Sequence, residues 1–586
     1  MTAPETARLA TLWGRLLVEE LARCGVTHAC ISPGSRSTPL TAAAVRSERL
    51  ACTLWLDERG AAYHALGIAR ATGRPAALVC TSGTAAANYL PAVVEAAQDG
   101  VPLLVLTADR PPELLDTGAN QAIRQSGIFG GFVRWAFDLP VPDPGFPAAA
   151  LLSTVDHAVH RALGPPAGPV HLNCMFREPL GPTGDEPWPA DVPERWRAGD
   201  RPLTAYARPG GDPAAAAVAA VAAALREARR GLLLVGQLPT AADRAAAARL
   251  AGRLGWPVAA DVRSGLRLGA APATLVPHLD QLLLAPGLRE AFAPDVVLHL
   301  GAQPVSKRLA QALAARPPAA RIAVQENPFR SDPDHAVSLR LDASPGRLCE
   351  LLLAEGLAGE GGSWGAGLAA ASARAGEQID RFVAGAPLGE IAVARLVSRE
   401  LPDGHGLFLG NSMPIRDMDM YGAVRAGAVP VAANRGASGI DGTVSTAAGF
   451  AQGLGAPATL VAGDLTVLHD LNALGELGVL ARPLVVVLVN NGGGGIFHFL
   501  PIAAQGDLLD PWFTAPQTVN FGGVAQLFGI PHHRPGSAGE FVAAYREACA
   551  AGKPAVIEVR SDRVENLAAH RELGERIAAA GGEPGS

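Results

Sequence analysis

At 586 residues the chain exceeds a single core, and about 150 residues per domain makes three or four domains. Hydrophobic residues make up 49% and charged residues 18%, with 67 glycines and 48 prolines outside any repeat, so the chain is globular and not disordered. A net charge of -6 argues against general nucleic-acid binding.

The N-terminus, "MTAPETARLATLWGRLLVEELARCG", carries acids where a signal peptide would carry basic residues, and reads as a first helix. The longest uncharged run, residues 442–463, is rich in Gly, Ser and Thr and makes a poor membrane span. Cys24, Cys30, Cys52, Cys80, Cys174, Cys349 and Cys549 are scattered and never spaced Cys-x-x-Cys. They read as reduced thiols, most of them buried, of a cytoplasmic protein without a disulfide or zinc framework.

Residues 1–185 repeat a short apolar run, a polar or glycine-bearing turn and a segment of helical spacing, as in "VTHACISPGSRSTPL", "CTLWLDERGAAYHALG", "PAALVCTSGTAAANYL" and "VPLLVLTADRPPELL". The alternation predicts a doubly wound α/β domain on a mainly parallel sheet. Ligands then lie beyond the carboxyl ends of the strands, so Ser35, Arg36, Glu58, Thr81 to Thr84 and Arg110 are expected along one edge. A Pro-rich linker ends in "RAGDRPL", and "GLLLVGQLP", "PVAADV", "PDVVLHLGAQPVSKRL" and "RIAVQEN" predict a smaller second sheet over 205–355. The Gly/Ala/Ser-rich stretch at 355–375 reads as the close of that domain. A third α/β domain over 380–580 takes its strands from "GLFLGNSMPIRD", "VPVAANRGASGIDG", "PATLVAGDLTVLHD", "PLVVVLVNNGGGG" and "KPAVIEVRSD".

The chemistry-bearing residues stand at the strand ends. Asp464 lies at a strand-to-helix turn, and Asn491 at the corresponding turn of the next unit. A carboxylate, an amide oxygen and a backbone carbonyl form a partial shell for a hard cation such as Mg²⁺, and the glycines at 492–495 let backbone N–H groups approach a diphosphate. Taken singly, Asp464 reads as a helix cap and Asn490-Asn491-Gly492 as the end of a strand. Their joint spacing and the order of the three domains favour the cation. Glu58 follows "LWL" ahead of an amphipathic helix, where a lone acid is ordinarily dipole-favoured decoration. Arg36, Arg110, Lys307, Arg308, Arg416 and Arg435 each follow an apolar run, and together they suit an anionic ligand, since guanidinium forks pair bidentately with carboxylates.

Gly463-Asp464 followed by Asn490-Asn491 resembles the diphosphate and metal motif of thiamine-diphosphate enzymes, usually Gly-Asp-Gly and Asn-Asn, with Leu465 in place of the third residue. Within that superfamily the chain resembles the 2-succinyl-5-enolpyruvyl-6-hydroxy-3-cyclohexene-1-carboxylate synthase family of menaquinone biosynthesis. "ISPGSRSTPL", "LDERGAAYHALG", "CTSGTAAANYLPAVVEA", "LTADRPPEL", "GANQAI", "SKRL", "GNSMPIRD", "NRGASGIDG" and "VNNGGGGIF" match it in order from about residue 8 to 565. Gly492 departs from the family's third asparagine, which loosens one contact near the diphosphate.

The resemblance implies three consecutive domains (pyrimidine-binding, central, diphosphate-binding) and decarboxylation of 2-oxoglutarate with conjugate addition of the remaining four-carbon carbanion equivalent to isochorismate. It implies Asp464, Asn491 and the Gly493 carbonyl as ligands of Mg²⁺, or of Mn²⁺ in its place. It implies Glu58 as the catalytic acid that shares a proton with the cofactor's pyrimidine, from a pocket apolar enough to raise its pKa. Cofactor contacts are implied for Glu58, Thr81, Asn88, Gln121, Ser412, Ile440, Gly463, Asp464, Leu465, Asn491, Gly493, Ile496 and Phe497. Of these, Ile440 would be the apolar wedge under the cofactor, and Ile496 and Phe497 walls over its reactive ring. Substrate contacts are implied for Ser35, Arg36, Arg110, Asn120, Gln121, Lys307, Arg308, Ser412, Arg416 and Arg435. Active sites shared between subunits would make the protein a homodimer or a dimer of dimers. An acetohydroxyacid-synthase-like carboligase, with flavin in the central domain, is the competing enzyme. The central glycines give no strong dinucleotide fingerprint for it. A non-catalytic nucleotide-binding α/β protein is the competing non-enzyme.

Overall fold

In a computed structural model the described residues are 2–184, 187–207, 212–269, 271–357, 359 and 362–580. They carry three sheets. The first holds β1 (His28–Ile31), β2 (Ala51–Leu54), β3 (Ala76–Cys80), β4 (Leu103–Asp109), β5 (Trp135–Leu139) and β6 (Pro169–Met175), in the order β2-β1-β3-β4-β6-β5 with every neighbouring pair parallel. The second holds β7 (Gly231–Val235), β8 (Val258–Ala260), β9 (Val296–Leu300), β10 (Ala320–Gln325) and β11 (Leu339–Asp342), all parallel, in the order β11-β10-β9-β7-β8. The third holds β12 (Gly406–Leu409), β13 (Val431–Ala432), β14 (Ala458–Gly463), β15 (Leu484–Asn490), β16 (His532–His533) and β17 (Ala555–Arg560), in the order β13-β12-β14-β15-β17-β16. Numbered within their own domains, the first and third sheets share one topology, 2-1-3-4-6-5. Each therefore has its switch point beside its first strand, where an open α/β sheet binds ligands.

The interior strands β3, β4 and β15 are continuous buried runs, as expected for sheets covered on both faces. Four strands go beyond the sequence reading: β5, β6, β11 and β16. The stretch read as closing the second domain is different too. Residues Ser363–Gly385 form a helix of 23 residues whose apolar face carries Leu368, Ala375, Ile379 and Phe382 into the core. Its alanines favour a helix strongly enough to carry its glycines within it.

The chain divides into two compact units. One comprises Met1–Pro209, Asn434–Ala458 and His469–Pro483, and the other Gly210–Ala433, Thr459–Leu468 and Leu484–Ser586. Within the first, the helix Thr443–Leu454 lies against the helix Glu58–Thr72 at backbone distance. A Cβ on Gly449 would stand 1.9 Å from the His64 carbonyl oxygen, and one on Gly67 2.0 Å from that of Thr446, so only glycine permits this approach. His64 Nε2 and Gln452 Oε1, 2.8 Å apart, fix the register of the pair. Because these helices cross so closely, the start of the helix that carries Glu58 is held rigidly.

All seven cysteines are free. Cys30, Cys80, Cys174 and Cys349 are buried and Cys52 is exposed. Among the described residues no helix is long and apolar enough to cross a membrane.

Candidate active site

The first unit carries Glu58. Asp57, its neighbour, is the N-cap of the helix Glu58–Thr72: Oδ1 accepts from the Arg59 N–H at 2.9 Å and Oδ2 from Asn472 Nδ2 at 3.3 Å. Glu58 is half-buried, and its carboxylate accepts no hydrogen bond and forms no ion pair among the described residues. It is close enough to Cys80 and Tyr89 for its charge to push both their pKa values up, although burial is the larger cause for each. The two adjacent acids thus differ in kind, one committed to the backbone and the other free to bind. β2 is an edge strand, and Leu54 and Leu56 near Glu58 are 65% and 76% exposed.

The loops after β1, β3 and β4 bring cations together. Arg36 is buried and donates to the Phe176 carbonyl at 3.0 Å and to Glu178 at 2.6 Å, while its Nε has no partner. Arg110 is buried beside it and donates to Ser82 Oγ at 2.5 Å. Burial first, and then the Arg36 charge, lowers the Arg110 pKa. Two guanidiniums in mutual repulsion form a site that a carboxylate would relieve. Thr81 lies buried against this cluster, since a Cβ on Gly34 would meet its Cβ at 2.2 Å. Gln121 takes a positive φ of 59°, and its Nε2 donates to the Ser82 carbonyl at 2.9 Å. Ser35, Asn88 and Asn120 are exposed. Arg435 and Ile440 are half-buried in the loop before Thr443–Leu454. Burial of the intended wedge is therefore only partial within this chain.

The second unit carries the cation-binding candidates. Asp464 follows Gly463 at the end of β14 and is 1% exposed. Burial pushes its pKa up, against hydrogen bonds from Gln517 and from the backbone of Leu465, Gly493 and Gly492. Its Oδ2 accepts from Gln517 Nε2 and its Oδ1 from the Leu465 N–H, both at 2.7 Å. Asn491 follows β15, and its Nδ2 donates to Glu390 Oε1 at 2.8 Å. Asn491 Oδ1 is buried and has no partner. An unpaired buried acceptor costs about 1–3 kcal/mol, so its retention suits an oxygen meant for a ligand.

The glycine loop keeps a backbone that side chains rarely adopt, with φ 74° at Gly492 and 148° at Gly493. A Cβ on Gly493 would stand 2.5 Å from both the Thr514 carbonyl oxygen and Arg563 Nη1. Gly492 has room, its nearest neighbours lying 3.8 Å away or more, and asparagine is the other residue that tolerates positive φ. The departure from the family pattern is thus conformationally neutral. The oxygen set fits a hard divalent cation: one carboxylate, one free amide oxygen and a glycine carbonyl. Among the described residues no three His, Cys, Asp or Glu side chains form a metal cluster.

Ile496 and Phe497 follow on a 3₁₀ turn, half-buried, with Phe497 edge-on to Phe513 at 5.7 Å. Ser412 is held at φ 70°, an unfavourable conformation for a residue with a side chain, and its carbonyl accepts from Arg416. Burial lowers the Arg416 pKa. Lys307 is exposed. Arg308 is engaged by Asp280, with Met420 Sδ 3.8 Å away. Glu390, Gln517 and Arg563, whose Nη1 donates to the Gly492 carbonyl at 2.6 Å, escaped the sequence reading because none belongs to a glycine or charge motif.

Three family models match. The thiamine pyrophosphate enzyme N-terminal TPP-binding domain covers residues 13–128, the middle domain 187–409 and the C-terminal TPP-binding domain 428–559. The chain is 52% identical over 569 residues to the 2-succinyl-5-enolpyruvyl-6-hydroxy-3-cyclohexene-1-carboxylate synthase of Rubrobacter xylanophilus, covering 97% of this chain and 98% of that protein. Proteins of the same name from Chlorobaculum tepidum and Salinibacter ruber are 48% and 46% identical. They cover 97% and 96% of this chain, and 97% and 95% of their own lengths.

Proposed function

Because the chain belongs to the thiamine-diphosphate enzymes, and within them to the 2-succinyl-5-enolpyruvyl-6-hydroxy-3-cyclohexene-1-carboxylate synthase family, we propose that it decarboxylates 2-oxoglutarate and adds the remaining four-carbon unit to isochorismate in the cytoplasm. It is a thiamine-diphosphate-dependent synthase of menaquinone biosynthesis. Thiamine diphosphate, when bound, would supply a carbon nucleophile for a 2-oxo acid and an electron sink for its decarboxylation.

This chain's residues do the rest. Asp464, the Asn491 amide oxygen and the Gly493 carbonyl would hold Mg²⁺, which would in turn bind the diphosphate. Glu58 holds a proton at the pyrimidine N1' atom and so tunes, through the ring, the amino group on the opposite side of it. Arg36 and Arg110 bind and orient carboxylates, with Ser412, Arg416 and Arg435 completing the substrate contacts. Ile496 and Phe497 keep water from the reacting carbon. Both substrates are dianions at neutral pH, which matches a protein that is acidic overall yet buries two arginines side by side.

The reading rests above all on the buried, unpartnered Asn491 oxygen in the glycine loop that Asp464 faces through its backbone hydrogen bonds. The exposed apolar edge beside Glu58 supports an assembly of at least two copies, each active site taking Glu58 from one and Asp464 from the other. The experiment is a comparison of 2-oxo acids with isochorismate as acceptor. Turnover of 2-oxoglutarate that depends on isochorismate is expected. Efficient joining of two pyruvates without isochorismate would replace this reading with the acetohydroxyacid-synthase-like one.

A further inference from the structure

We propose that Glu390 is a positioning residue for the metal site, turning the Asn491 side chain so that its oxygen stays free for the cation. The inference rests on the reading of Asp464, Asn491 and Gly493 as the metal-binding set. An asparagine amide has almost the same shape with its oxygen and nitrogen exchanged, so the chemistry of its neighbours decides which end faces where. Glu390 opens the helix Glu390–Glu400, where the dipole favours a carboxylate. It is 4% exposed, and its Oε1 accepts from Asn491 Nδ2 at 2.8 Å and from Ser561 Oγ at 3.2 Å. A carboxylate in this position only accepts, so the amide nitrogen is committed to it and the oxygen is turned away.

The neighbouring asparagine is the control. Asn490 is held in the same manner, its Nδ2 donating to Glu558 Oε1 at 2.6 Å. Its oxygen, however, accepts from Gln517 Nε2 at 3.1 Å and from the Gly492 N–H at 3.3 Å. Two consecutive asparagines thus each have a glutamate, and only Asn491 keeps a buried oxygen without a partner. Outer contacts of this kind fix a ligand's orientation and change metal affinity without touching the metal.

The test measures Mg²⁺ binding at saturating thiamine diphosphate by calorimetry on the full chain, alongside the thermal midpoint of the cofactor-free protein. Glu390→Gln keeps an acceptor for Asn491 and is expected to bind Mg²⁺ as wild type does. Glu390→Met removes the acceptor, lets the amide turn over, and is expected to weaken Mg²⁺ by about 10–100-fold, with Asn491→Ala weakening it at least as much. Should Glu390→Met not fold, Glu390→Asp, which draws the carboxylate back by one methylene, takes its place with the same expected direction. A loss of thermal midpoint with unchanged Mg²⁺ affinity in these variants would make Glu390 merely structural and overturn the proposal. Wild-type protein that binds thiamine diphosphate without any need for a divalent cation would instead overturn the metal reading beneath it.

Discussion

Asp464 and Glu58 are both acids at the junction of a strand and a helix, yet their surroundings differ. Asp464 is buried, accepts from Gln517 and from backbone N–H groups, and stands in a loop whose glycine conformations and asparagine orientations are already fixed. Glu58 is half-buried at the end of an edge strand, with a carboxylate that pairs with nothing among the described residues. The end that would anchor the cofactor is built within one compact unit, whereas the end that would drive its chemistry presents a bare carboxylate at an exposed apolar edge. Anchoring and activation are therefore separable by mutation.

The largest effect sharpens that separation. Glu58→Gln is expected to lower CO2 release from 2-oxoglutarate by about 10²–10⁴-fold while thiamine diphosphate still binds. Asp464→Ala is expected to lose Mg²⁺-dependent cofactor binding itself, as titration calorimetry would read. If both variants lost binding equally, the two acids would not divide the work as described. Co-refolding the two inactive variants provides a second test. Random pairing gives mixed dimers with one intact site each, so about one quarter of wild-type activity should return if sites are shared between subunits. No recovery would put both acids of a site in one chain.

A smaller effect is expected at the arginine pair. Hydrogen bonds to charged groups are worth about 1.5–3 kcal/mol, so Arg110→Gln should lower kcat/KM by about 10–100-fold and leave cofactor affinity unchanged. The smallest effect belongs to Gly492. Because its φ of 74° suits asparagine and its surroundings are open, Gly492→Asn should fold as wild type and change cofactor affinity little. A marked gain in affinity would mean that the departure from the family pattern had cost a real diphosphate contact.

What the sequence made legible follows from burial. The interior strands announce themselves as apolar runs, and the motif residues follow at their carboxyl ends. Three of the four strands that went unread, β5, β11 and β16, are the outer strands of their sheets. β5 exposes three consecutive residues, Ala136 to Asp138, and β16 is two residues long, so neither carries a buried-strand pattern. The fourth, β6, is interior but polar. His171 and Asn173 are buried within it and satisfied by Thr107, Asp109 and Gln125, a network that only the folded sheet reveals. The same reasoning separates the site residues. Asp464, Asn491 and the glycines form a pattern along the chain, whereas Glu390 and Arg563 reach Asn491 and Gly492 from 101 and 71 positions away.

The most direct measurement is the identity of the product. Incubated with thiamine diphosphate, Mg²⁺, 2-oxoglutarate and isochorismate, the protein should release CO2 and yield a single adduct with the mass of 2-succinyl-5-enolpyruvyl-6-hydroxy-3-cyclohexene-1-carboxylate. Release of CO2 with succinic semialdehyde as the only product, or no turnover of 2-oxoglutarate in the presence of both cofactors, would contradict the account.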